Sequence, residues 1–203
     1  MEIRLQPNDE KKISDIVGVL EKGNYFLLTT HRNIDGDSIG SELALYSALK
    51  RAGKTVIIVN QDNIPVIYRF LPYTKRVHIY TSEIQIKPDV AIVIDCGSPD
   101  RTGNVFKLVR KANIVVNIDH HFSNQGFAQF NWINHNFAAT GEMVYLLIYH
   151  FNKNISKKEA ECIYTAILTD TGSFIYNISP FTMSVVQDLI SKGISPEKIA
   201  KKV

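Results

Sequence analysis

Apolar runs alternate with amphipathic segments over the first two thirds of the chain. Tyr25–Thr30 (YFLLTT), Thr55–Asn60 (TVIIVN), Val90–Asp95 (VAIVID) and Ile114–Asp119 (IVVNID) are short, continuous and rich in β-branched residues. Strands buried on both faces have this composition, because a parallel sheet is covered by helices on each side. Val77–Tyr80 reads as a further small strand and Val66–Leu71 as a short helix. Between the runs, Ser38–Ala52 places Ile39, Leu43, Leu45, Ala48 and Leu49 near helical spacing and stops before Gly53. An earlier helix starts from Asn8 as its cap, runs through Leu20 and stops at Gly23.

After Asn134 the pattern changes. Phe137–Phe151, Ser156–Thr169 and Pro180–Lys192 all read as helices, with Ser156 and Glu159 spaced as a capping box. Strand–helix units come first and helices last. The expected fold is α/β, with a mainly parallel sheet flanked by helices and a helical C-terminal third. No internal repeat or low-complexity linker divides the 203 residues, so one domain is expected.

The polar N-terminal segment MEIRLQPNDEKK lacks the apolar core of a signal peptide. No run reaches the roughly 18 apolar residues of a membrane span. The expected location is the cytoplasm, with no membrane partner. Cys96 and Cys162 form no Cys-x-x-Cys pair and read as buried, reduced thiols.

Chemistry enters where the strands end. YFLLTT runs into His31-Arg-Asn-Ile-Asp35-Gly-Asp37-Ser38, VAIVI into Asp95-Cys-Gly97, and IVVNI into Asp119-His120-His121. Ligand sites of open parallel sheets lie at the carboxyl ends of strands, so three strands delivering Asp or His to one edge is a convergence. Each segment alone has a plainer explanation. Asp37 or Ser38 can cap the following helix, and Asp95 can be a turn residue before Gly97. Adjacent histidines after a β-branched run are harder to explain as scaffold, and Asp119 can orient a neighbouring ring. Asp170, in LTDTGSF, ends an apolar helix, where the helix dipole disfavours an acid.

Four carboxylates and two histidines result: Asp35, Asp37, Asp95, Asp170, His31 and His120. Two divalent ions would balance the four negative charges. Mixed oxygen and imidazole donors favour Mn2+, with Mg2+ or Fe2+ also compatible, whereas zinc usually takes more histidine or cysteine. Two ions about 3.5–4 Å apart can clamp an in-line displacement at phosphorus and activate a water. The net charge of +3 says little by itself. Setting aside Asp35, Asp37, Asp95, Asp119 and Asp170 leaves 15 acidic against 23 basic residues, a balance of +8. That surface suits a phosphate-bearing substrate.

His31-x-x-x-Asp35-Gly-Asp37-Ser38-Ile-Gly40-Ser41, Asp95, Asp119-His120-His121 and Thr169-Asp170-Thr-Gly172 resemble, in order, the motifs of the DHH phosphoesterases. The nearest branch is the RecJ-like bifunctional oligoribonucleases (nanoRNases) that also act as pAp phosphatases. The resemblance implies that His31 and Asp35 hold one manganese, that Asp37, His120 and Asp170 hold the other, and that Asp95 bridges both. It implies that His121 contacts the scissile phosphate or stabilises developing charge, with Asp119 supporting it. Ser38 and Arg101 become candidate phosphate contacts, against plainer roles as a helix cap and a surface arginine.

The implied activity is two-metal hydrolysis of short oligoribonucleotides and pAp. A cyclic dinucleotide phosphodiesterase, a manganese pyrophosphatase and a non-catalytic binding module remain alternatives, and a homodimer through an exposed strand or helix is compatible with the sequence. Such nanoRNases carry a second, C-terminal domain with a glycine-rich signature that grips the substrate. The sequence has no Gly-Gly pair and stops at Lys201-Lys202-Val203. The expectation is a catalytic domain over residues 1–203, truncated from a longer chain.

Overall fold

Each β-branched run becomes a strand, and the strands pair in the order that places their acidic ends together. The computed structural model describes residues 7–203. Its strands are β1 (Tyr25–Thr29), β2 (Thr55–Asn60), β3 (Val77–Ile79), β4 (Val90–Ile94), β5 (Ile114–Asp119) and β6 (Phe130–Ile133). The six form one sheet in the order β3-β2-β1-β4-β5-β6. Every pairing is parallel, so the sheet is wholly rather than mainly parallel. Chain order reverses between β1 and β4, and the loops leaving those two strands open a crevice there.

The helices are α1 (Pro7–Lys22), α2 (Gly36–Arg51), α3 (Phe106–Val109), α4 (Thr140–Asn152), α5 (Lys157–Asp170), α6 (Pro180–Ser191) and α7 (Pro196–Ala200). Alternation along the strands divides the core. Phe26, Leu28, Ile92 and Ile94 join the large apolar cluster under α1, α2, α4, α5 and α6. Leu27, Ala91 and Val93 face the other way, against Val105, Leu108 and Val109 around α3. Burial on both faces is what the continuous apolar runs require.

Close helix packing positions the acids. A Cβ on Gly40 would come within 2.5 Å of the Cys162 carbonyl, so only glycine lets α2 lie this close to α5. That approach brings the first turn of α2 to the last turn of α5. The Ser156–Glu159 capping box starts α5 as expected. Cys96 and Cys162 are buried and unpaired.

Several boundaries differ from the sequence expectation. α1 begins at Pro7, placing Asn8 inside the helix rather than at its cap. Val66–Leu71 contracts to a 3-10 turn over Val66–Tyr68. α4 starts at Thr140 rather than Phe137, because the backbone at Ala139 is extended. β6 and the 3-10 turn at Pro99–Val105 were not anticipated. β6 is four residues long and is tied down from afar: the Trp132 indole donates to Asp9 Oδ1 at 2.8 Å. Among the described residues, no helix is long and apolar enough to cross a membrane.

Candidate metal centre

The loop after β1 is shaped by its own backbone bonds. Asn33 is left-handed at φ 60°, and its N–H donates to Asp62 Oδ2 at 2.7 Å. Asp35 then caps α2 by accepting from Ser38 N at 2.9 Å, and Ser38 Oγ accepts from Asp35 N at 3.1 Å. The capping residue is therefore Asp35, rather than Asp37 or Ser38, for which a cap was the plainer alternative role. Ser38 is fully buried and its hydroxyl is used within this box. Asp37 falls in the first turn of α2, buried, where the helix dipole favours an anion.

β4 delivers Asp95 in a strained conformation. Its φ is +53°, a region that costs a non-glycine residue on the order of 1–3 kcal/mol and persists only where surroundings impose it. The surroundings do so here. Asp95 N donates to Ile118 O at 2.8 Å. Thr30 Oγ1 donates to the Ile94 carbonyl at 2.8 Å, and Asn117 Nδ2 donates to Cys96 O at 3.2 Å, so both neighbours of Asp95 are held. The turn sends the two carboxylate oxygens in different directions. Oδ2 lies 3.5 Å from His31 Nε2, while Oδ1 lies 3.8 Å from His120 Nε2 and 3.5 Å from His121 Nδ1.

The six expected metal-binding side chains converge as two triads that share one neighbourhood. His31, Asp35 and Asp95 each offer a donor atom within 4.8 Å of the others, and so do Asp37, His120 and Asp170. Asp95, His120 and His121 form a third such group. His31 Nε2 is 3.5 Å from Asp35 Oδ2, and His120 Nε2 is 3.7 Å from Asp37 Oδ2 and 3.4 Å from Asp170 Oδ2. Asp37, Asp95 and His31 form a buried floor, while Asp35, at 51% side-chain exposure, opens to solvent.

The donor atoms are prepared for a cation. His31 Nδ1 lies 2.6 Å from the Arg32 carbonyl, which can only accept, so Nδ1 carries the hydrogen. Once the ring gives up its second proton, Nε2 is the lone-pair nitrogen, and it is buried without any hydrogen-bond partner. His120 repeats the arrangement, with Nδ1 3.2 Å from the Phe137 carbonyl. Burial and the charges of Asp95 and Asp170 push Asp37 well above the ordinary carboxylate range. Burial also raises Asp170, with Asp95 and Asp35 adding to the effect. Burial works to lower His31, but the Asp35 and Asp95 carboxylates, each 3.5 Å from Nε2, overcome it and raise its pKa to about 10. Asp35 is held down to about 2: burial opposes this, and hydrogen bonds to His31 and Ser38 outweigh it. Crowded acids that must share protons, around a nitrogen with no partner, are a site that divalent cations fit.

His121 and Asp119 stand beside this floor. His121 Nδ1 donates to Asp119 Oδ1 at 2.7 Å, and Asp119 Oδ2 accepts from Asn124 Nδ2 at 2.6 Å. Burial would raise Asp119, yet the His121 contact holds it down. Its hydrogen bond in turn raises His121. Arg101 is half-buried in the 3-10 turn, its carbonyl accepts from Arg32 N at 2.7 Å, and its charge opposes protonation of His121.

Sequence reasoning missed the residues that hold the converging side chains. α4 has no capping side chain of its own at Ala139. Asp37 fills that role from another helix, accepting from Thr140 N at 2.7 Å and Gly141 N at 2.9 Å. Thr140 Oγ1 donates to Asp95 Oδ1 at 2.9 Å. Asn60, Asn117 and Asn124 anchor the strand ends below. Asn60 Oδ1 accepts from Thr29 Oγ1 and Thr30 N, and Asn117 Oδ1 accepts from Asn124 Nδ2. Asn117 lies within the IVVNID run, a polar residue interrupting buried apolar ones, and that was the available signal.

Relatives and solved structures share this arrangement of chain. The bifunctional oligoribonuclease and PAP phosphatase NrnA of Thermus thermophilus is 31% identical over 194 residues, covering 94% of this chain and 56% of that protein. An exopolyphosphatase-related protein from Bacteroides fragilis has a crystal structure that superposes with a TM-score of 0.90 at 28% identity, over 96% of this chain and 60% of that one. The manganese-bound exonuclease RecJ shares the fold, with a TM-score of 0.59 at 11% identity over 94% of this chain and 49% of that one. The chain thus spans between 49% and 60% of the length of these proteins. The family model described as the DHH family, N-terminal domain, matches residues 26–167, which include five of the six converging side chains and the Asp119-His120-His121 run, and the chain belongs to that family.

Proposed function

We propose that this chain is a two-metal phosphoesterase acting on short oligoribonucleotides and on nucleotides such as pAp. The observation that carries the reading is the pair of triads, His31–Asp35–Asp95 and Asp37–His120–Asp170, with the two oxygens of Asp95 turned toward different histidines. The first triad would hold one divalent ion and the second the other, with Asp95 shared. Ions so placed supply Lewis acidity at phosphorus and a water activated for in-line attack. Manganese suits the oxygen and imidazole donors, with magnesium and iron as close competitors.

The remaining residues act on the substrate directly. His121, oriented by Asp119, whose hydrogen bond raises its pKa, presents its free edge to the phosphate and offsets charge that develops on the oxygens in the transition state. Asn124 fixes the far oxygen of Asp119, so the imidazole has one orientation. Arg101 supplies a second positive charge on this side. Asp35, Asp170 and His121 line the open side, through which a chain end with a terminal phosphate can reach the buried floor.

The printed activity of the Thermus relative supports the choice of RNA and pAp. A second reading, inorganic polyphosphate, is favoured by the exopolyphosphatase-related neighbour at TM-score 0.90. Purified protein with manganese, assayed on pAp, dinucleotides, cyclic di-AMP, pyrophosphate and polyphosphate, separates these. Release of AMP and phosphate from pAp, and of mononucleotides from dinucleotides, is the expected result. Asp95→Ala should abolish both, and so should chelation. Turnover that survives either treatment sinks the two-metal reading.

A further inference from the structure

Beyond Asp170 the chain makes a turn that metal binding does not require. Gly172, Ser173 and Phe174 are left-handed in succession at φ 55°, 61° and 64°, and Asn177 follows at 55°. Glycine and asparagine adopt this conformation readily, but Ser173 and Phe174 adopt it only at a cost. Specific bonds impose the shape. Ser173 N donates to Leu168 O at 2.8 Å, and Ile175 N and Tyr176 N both donate to Thr171 O, at 2.8 and 2.9 Å. Phe174 N donates to Thr171 Oγ1 at 3.0 Å, and its ring packs 5.8 Å from that of Tyr164.

What the turn achieves is the display of apolar side chains. Ile175 is 69% exposed and Tyr176 63%. The Tyr176 ring lies over Gly172, where a Cβ would meet Cδ2 at 2.8 Å, so the ring is seated rather than free. A second large ring stands out on another loop. Phe122 directly follows His121, is 86% exposed, and meets His135 edge-on at 5.4 Å. Adjacent large apolar groups left in water, such as Ile175 and Tyr176, forgo burial energy and make a candidate binding surface.

The two loops meet at the chemistry. Asp170, six residues before Tyr176, lies 3.4 Å from His120, two residues before Phe122. Gly172, beneath the Tyr176 ring, is two residues from Asp170, so both loops leave from the Asp37–His120–Asp170 half of the centre. A flat aromatic face beside a phosphate site suits a nucleobase, because every base has a π-face that can stack on it. An inorganic polyphosphate has nothing to offer such a face.

We propose that Tyr176 and Phe122 form a stacking platform for the nucleobase of a substrate whose phosphate occupies the Asp37–His120–Asp170 half of the site. The proposal rests on the phosphoesterase reading above and narrows its substrate class to base-bearing phosphoesters. The test compares pAp with ribose 3′,5′-bisphosphate, which keeps the sugar and both phosphates and lacks the base. The readout is the ratio of kcat/KM for the two compounds in the full chain with manganese. Tyr176→Leu and Phe122→Leu preserve apolar bulk and remove the ring, and each should lower the ratio roughly tenfold, through KM for pAp. Tyr176→Phe should retain it. Leucine variants that keep the original ratio overturn the proposal, because a surface that covers another protein is served by leucine as well. A chain that cleaves both compounds equally well before any substitution also overturns it, and leaves the phosphoesterase reading standing. A chain that cleaves neither overturns that reading and this proposal together.

Discussion

Glu42 is fully buried on α2, with Oε2 accepting from Asn60 Nδ2 at 2.7 Å and Oε1 without a partner. Burial pushes its pKa up from 4.5 to about 8, outweighing the Asn60 hydrogen bond and the charge of His31. The folded chain thus keeps a proton on Glu42 that the unfolded chain releases at ordinary glutamate pH. The resulting stabilisation is fully present below the unfolded value near 4.5 and is lost as pH rises through about 8. Glu42→Gln keeps an acceptor for Asn60 and removes the ionisation. Urea melts in EDTA at pH 5 and pH 9 should show the native chain losing a few kcal/mol more than the variant over that interval. Equal losses would mean that Glu42 is ionised in the folded chain. Nothing in the sequence distinguishes Glu42 from a solvated helix glutamate, because its burial depends on Asn60 arriving from β2.

Between elements, Asp37 has two roles that can be separated. It is a candidate cation ligand, and it caps α4 from outside through the N–H groups of Thr140 and Gly141. Asp170 shares the first role only. In chelated protein, Asp170→Ala removes a carboxylate from a crowded site and should leave stability unchanged or raise it. Asp37→Ala strands two buried N–H groups and should lower stability by about 1–3 kcal/mol. Opposite or clearly unequal shifts in denaturant midpoint check this, and equal shifts would remove Asp37 from the cap. The helices themselves were legible, since apolar spacing and the Ser156–Glu159 box are local signals. So were the six side chains that converge, because Asp and His after strand ends, and Asp170 at the end of an apolar helix, stand out locally. Thr140 was not legible, since it falls inside the helix expected over Phe137–Phe151, whereas its hydroxyl serves Asp95. β6 was hidden for a similar reason: Phe-Asn-Trp-Ile is stabilised by pairing with β5 and by Asp9, at a separation no local pattern carries.

For the whole molecule, the fold and the centre depend on each other. The candidate ligands come from the loop after β1, the ends of β4 and β5, and the place where the first turn of α2 meets the last turn of α5. Filling the site therefore ties together segments from most of the chain, and any cation that binds only the folded form stabilises it. At a hundredfold excess over the dissociation constant this contributes about 2.7 kcal/mol per independent site. For a chain of this length that is a rise in Tm of roughly 5–10 °C. Manganese titrated into chelator-treated protein should produce such a shift in steps that reflect two ions. Asp95→Ala, which removes the shared carboxylate, should erase most of it, and Asp170→Ala should leave the portion due to His31, Asp35 and Asp95. Protons compete for the same atoms. His31, raised to about 10 by Asp35 and Asp95, must lose its Nε2 proton to accept a cation, so the shift should shrink as pH falls and binding should release protons into solution. A Tm shift that survives Asp95→Ala intact, or that grows toward low pH, would place the cations somewhere other than these two triads.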